Sequence, residues 1–75
     1  MQNLFSLTEF TRLLATKPRG FSALYLVTDG KNYRSTCKAL AATAIRESVK
    51  ISTGQALVTD PATLTTLEAV RVTVK

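Results

Sequence analysis

Apolar residues open the chain at helical spacing, with Leu7, Phe10, Leu13 and Leu14 on one side of a turn that repeats every three to four positions. Ser6 and Glu9 frame the start as a capping box, in which each side chain satisfies a backbone N–H that the first turn leaves open. Phe5, just before the cap, and Phe10 have the spacing of a hydrophobic staple. Pro18-Arg19-Gly20 ends the run, because proline disfavours helical geometry at the residue before it and lacks an N–H. A helix is expected over residues 7–16.

The pattern then turns to strands. Residues 21–28 are rich in aromatic and aliphatic side chains, and Asp29-Gly30 is a favoured two-residue turn, so a hairpin returning through residues 31–35 is expected. In that register Leu24, Leu26 and Tyr33 share one face, while Phe21, Ala23, Tyr25, Val27, Asn32 and Arg34 share the other. Ser35 or Thr36 then caps a second helix reaching about Ser48, with Cys37, Leu40, Ala41, Ala44, Ile45 and Ser48 as its buried stripe. Further on, residues 49–52 and 55–59 read as strands about a Thr53-Gly54 turn, and Asp60-Pro61 as the cap of a short helix. Val70, Val72 and Val74 alternate with Arg71, Thr73 and Lys75 in a half-buried final strand.

The expected architecture is therefore one α+β domain over residues 1–75. Its mainly antiparallel sheet has four or five strands packed against two helices, in the order α-β-β-α-β-β-(short α)-β. The expected core is Phe10, Leu14, Leu24, Leu26, Leu40, Ala44, Ile45, Val70, Val72 and Val74.

Charge adds a functional direction. Eight of the ten Lys and Arg residues lie from Arg12 to Lys50, opposed there only by Asp29 and Glu47, so this stretch carries +6 in a chain of net +5. Such a surface attracts polyanions. Catalysis has little to work with, because there is no His to act as a base and only five carboxylates. Cys37, on the apolar stripe, reads as packing. One Cys and no His cannot hold zinc, and the three glycines form no phosphate loop, so neither metal nor cofactor is expected.

A lone Cys needs no oxidising compartment, residues 1–9 lack the pattern of a signal peptide, and no apolar run nears the ~20 residues of a membrane span. A cytoplasmic protein without a membrane partner is the expectation. Its function is expected to be non-enzymatic: contact with nucleic acid or a nucleoprotein complex through Arg19, Lys31, Arg34, Lys38 and Arg46, with Tyr25 stacking on a base beside Arg34. The alternative is a protein-interaction module that docks on an acidic surface. It would inhibit a host protein or enzyme by occupying it, as phage- or plasmid-type accessory proteins do. The terminal strand offers a further route, edge-to-edge pairing into a homodimer, although Arg71 and Lys75 are the charges that guard such edges.

Overall fold

The computed structural model describes residues 3–28 and 30–75. Two helices cover one face of a three-stranded antiparallel sheet: α1 (Leu7–Ala15), β1 (Ser22–Leu26), α2 (Tyr33–Arg46), β2 (Ile51–Asp60) and β3 (Thr65–Val74). The strand order is β1-β3-β2, so the last strand of the chain lies between the other two. The order α-β-α-β-β and the three strands correct the expected four or five.

α1 forms as its signals direct. Ser6 Oγ accepts from the Glu9 amide and the Glu9 carboxylate accepts from the Ser6 amide. Phe10 and Leu14 point inward and are buried. With Leu40 of α2 and Val70, Val72 and Val74 of β3 they make the core, and Leu7, Phe21, Ala23, Tyr25, Val27 and Ile51 pack around it. Seven of the ten expected core residues are thus buried.

The expected hairpin is replaced by a turn into a helix. Lys31 N–H donates to Thr28 O and Gly30 has φ +78°, so the chain does turn here. Asp29 lies outside the described residues. The turn leads into α2, because Asn32 and Ser35 form a reciprocal capping box one turn earlier than the expected cap at Ser35 or Thr36. The residues of the expected second strand are consumed by the helix, and β1 pairs with β3 instead, with Tyr25 opposite Val70 and Ala23 opposite Val72. Leu24 and Leu26 therefore face away from the helices. Leu24 is 46% exposed and Leu26 half-buried, which removes both from the core.

Thr53-Gly54 is no turn but the middle of β2, a single strand that pairs with β3 without a break from Ile51–Val74 to Asp60–Thr65. Asp60-Pro61 does interrupt the chain, though as the start of a hairpin loop and not of a helix. The Asp60 carboxylate accepts from the Ala62 amide, Leu64 N–H donates to Asp60 O, and Leu64 takes the left-handed conformation at φ 57°. Because β3 is central, it has no free edge to offer a second chain, which withdraws the expected pairing through the terminal strand.

Candidate functional site

The exposed face of α2 is set by which of its residues turn inward. The buried positions are Thr36, Leu40, Thr43 and Ala44, with Tyr33, Cys37 and Ala39 partly covered. Two of the four are threonines, and their hydroxyls do not need outside partners. Thr36 Oγ1 donates to Asn32 O at 2.9 Å and Thr43 Oγ1 to Ala39 O at 2.8 Å. With the hydroxyl satisfied on its own helix, each methyl packs like that of a valine. The helix is rotated accordingly from the expected stripe: Ile45 is 80% exposed, and Ala41 and Ser48 also face solvent.

The rotation places Arg34, Lys38, Ala41, Ala42, Ile45 and Arg46 on the solvent side. This helix contains no carboxylate. Arg34 and Arg46 stand about 18 Å apart along the axis, twelve residues at 1.5 Å each. Arg46 Nη2 lies 3.5 Å from Thr43 Oγ1 and otherwise projects outward. Glu47, just past the helix, accepts from Arg12 Nε at 2.6 Å, an ion pair that ties the ends of α1 and α2 together.

Both helices end at the same pole of the molecule. A recess of about 280 Å³ opens there between Leu14, Ala15 and Val49, and three lysines line it: Lys17, Lys50 and Lys75. Backbone pairing assembles this pole, with Gly20 N–H donating to Val74 O and Lys75 N–H to Lys50 O. Arg19, exposed in the turn before Gly20, belongs to the same end. Lys17, Lys50 and Lys75 have no place among the expected contacts. A reading of residues 51–74 as one long hairpin would have set Lys50 beside Lys75.

Tyr25 sits elsewhere. Its ring meets Phe10 edge to face at 4.9 Å between centroids, and its hydroxyl donates to Phe5 O at 3.3 Å. Partial burial raises its pKa above 10.0. Arg34 is on α2, so the expected juxtaposition of Tyr25 with Arg34 on one sheet face does not occur. Lys31 lies at the helix N-terminal end beside a small hollow of about 150 Å³ that includes Tyr25, Leu26 and Ser35. The six expected contacts therefore divide. Arg34, Lys38 and Arg46 share α2, Arg19 lies at the pole of the lysine recess without lining it, and Lys31 and Tyr25 line the separate hollow at the other end of α2.

Cys37 is half-buried against the core, and the Tyr33 hydroxyl is pushed upward in pKa, chiefly by its hydrogen bond with Cys37. Among the described residues no three His, Cys, Asp or Glu side chains gather as a metal site, and no helix is long and apolar enough to cross a membrane. An apolar groove of about 340 Å³ runs along β1, walled by Leu4, Phe5, Leu13 and Leu24. The Asn3 side chain pins its floor, donating to Leu26 O at 3.0 Å and accepting from Leu26 N–H at 2.8 Å. No family model, curated protein or solved structure matches this chain.

Proposed function

We propose that this protein is a non-enzymatic, cytoplasmic binding module that grips the phosphate backbone of a nucleic acid. The contacts are Arg34, Lys38 and Arg46 on the solvent face of α2, extended at the helix C-terminal pole by Arg19 and the lysine recess. The observation that supports it is the uncompensated charge of that face. Three cations project from one carboxylate-free helix, and Glu47, the carboxylate just past its C-terminal end, is engaged by Arg12. Lys and Arg placed this way displace condensed counterions without reading sequence. Base stacking has no part in this reading, since Tyr25 is committed to Phe10 and Phe5.

The test is fluorescence anisotropy with labelled single-stranded DNA, duplex DNA and RNA at about 50 and 200 mM salt. Seven phosphate contacts weaken binding by about 10³–10⁴-fold over that range. On duplex DNA the triple variant Arg34→Ala, Lys38→Ala, Arg46→Ala loses roughly three contacts, and its slope of log K against log salt falls by about 2.7. A triple variant that binds with the same slope sinks the proposal. One observation favours a second reading. Ile45 stands 80% exposed among the cations, which suits an acidic protein surface with an apolar pocket. Absence of nucleic-acid binding at the lower salt, with capture of a protein that Ile45→Glu abolishes, would establish that reading instead.

A further inference from the structure

β2 is an edge strand of ten residues, and its first nine carry nothing that guards the edge. From Ile51 to Thr59 it has no charged residue and no proline, and its pairing with β3 runs through without a bulge. Those are the devices by which monomeric proteins keep sheet edges from pairing. Lys75 N–H donates to Lys50 O, which fixes the even-numbered residues of β2 as the ones bonded to β3. The N–H and C=O groups of Ile51, Thr53, Gln55, Leu57 and Thr59 therefore point outward along the free edge.

The surroundings of the edge are bare as well. Beyond Ile51 the helices leave the strand uncovered, and Leu57 is 68% exposed on the helix side. Gly54 lies mid-strand, yet its φ is not in the left-handed range and a side chain there would meet nothing within 4 Å. Gly54 therefore neither bends nor interrupts the strand. The chain exposes 5169 Å². A folded monomer of 8.2 kDa is expected to expose about 4,500 Å². The excess of roughly 600 Å² approaches the ~800 Å² that each partner contributes to a stable interface.

We infer that β2 pairs antiparallel with β2 of a second copy, about a two-fold axis at Gln55, to make a continuous six-stranded sheet. In that register Gln55 faces Gln55, Thr53 faces Leu57 and Ile51 faces Thr59, so every outward-pointing residue meets an outward-pointing residue. Charge fits the same register. Lys50 begins the uncharged stretch and Asp60 ends it, and the two-fold sets Lys50 of each copy opposite Asp60 of the other. The axis is perpendicular to the sheet, so the helices of both copies lie on one side. Each exposed Leu57 then sits beside the helical layer of its neighbour, and the two cationic α2 faces are presented together.

Sedimentation equilibrium at about 150 mM salt tests this, with twice 8.2 kDa as the expected mass. Gln55→Pro removes an outward N–H at the axis without touching the ladder to β3, and Leu57→Lys adds an edge charge. Both variants are expected to sediment as monomers with the far-UV circular dichroism of the parent. The register is read by mild oxidation in a Cys37→Ser background. Gln55→Cys crosslinks, since its facing Cα atoms are about 5.5 Å apart, and Thr53→Cys does not. A wild-type chain that stays monomeric at millimolar concentration overturns the inference. So does a dimer that both edge variants leave intact, or one in which Thr53→Cys crosslinks and Gln55→Cys fails.

Discussion

Replacing Leu40 with alanine, and separately Ile45 with alanine, distinguishes the rotation of α2 seen in the structure from the one its apolar pattern suggests. The pattern puts both residues in the core. In the structure Leu40 is fully buried and Ile45 is 80% exposed. Leu40→Ala removes three carbons, worth about 2.4 kcal/mol at ~0.8 kcal/mol per methylene. The cavity left behind raises the cost to about 3–4 kcal/mol. A 75-residue chain at ~0.05–0.15 kcal/mol per residue has only about 4–11 kcal/mol in total. Leu40→Ala therefore brings the protein close to unfolding. For Ile45 the buried fifth of the side chain contributes about 0.3–0.6 kcal/mol, and alanine returns a similar amount through helix propensity. The net change is within about 0.5 kcal/mol. Urea denaturation followed by circular dichroism at one fixed protein concentration gives both values from midpoints with a common slope. A cost above about 1.5 kcal/mol for Ile45→Ala, or below about 1 kcal/mol for Leu40→Ala, would refute the assigned rotation.

Local geometry sets two further outcomes. α2 ends in a Schellman motif, with Val49 N–H donating to Ala44 O and Ser48 N–H to Ile45 O, and Ser48 is held at φ 58°. Ser48→Gly relieves that conformation and is expected to raise stability by about 1 kcal/mol, read as a higher urea midpoint; a loss would contradict the motif. Tyr25 is raised in pKa by burial and Tyr33 by its bond with Cys37, both above 10.0. Raised values mean that the folded state holds these protons more tightly. Their contribution is complete below pH 10 and is lost as pH rises through the folded-state values. The urea midpoint is expected to fall as pH rises above about 10, and to fall less in Tyr25→Phe. An equal fall in that variant would remove Tyr25 from the account.

Some of the fold is plain in the residues because the controlling interactions are local. The Ser6–Glu9 capping box, the Pro18 stop and the Val70-Val72-Val74 alternation all act over a few positions, and all are present in the structure. The rest depends on partners far along the chain or on residues with two characters. Thr11, Thr36 and Thr43 count as polar in a pattern, yet each donates its hydroxyl to the carbonyl four residues back and buries its methyl. That substitution of threonine for valine shifts the apparent stripe of α2 and draws Ile45 into the expected core. Asn32 reads as a strand residue because Asp29-Gly30 is so strong a hairpin signal, but its capping box with Ser35 decides in favour of the helix. Gly54 looks like a turn for the same reason, whereas pairing with β3 holds it extended.

The candidate site is legible in its charge and not in its shape. An excess of Lys and Arg survives any error in secondary structure, so Arg34, Lys38 and Arg46 stand as candidates under either fold. Their placement on one helix face depends on the rotation that the threonines set. The platform of Tyr25 with Arg34 rests wholly on the hairpin register and goes with it. The lysine recess needs residues 17, 50 and 75 together, a juxtaposition that only the tertiary fold supplies.

The most direct measurement is a nuclear magnetic resonance titration of ¹⁵N-labelled protein with a short DNA duplex at about 50 mM salt. Amide shifts confined to Arg34, Lys38, Ala42 and Arg46 on α2, and to Lys17, Arg19, Lys50 and Lys75 at the pole where that helix ends, are the predicted result. Shifts centred on the groove along β1 at Leu13 and Leu24, with α2 unmoved, or no shifts at any ratio, would contradict it.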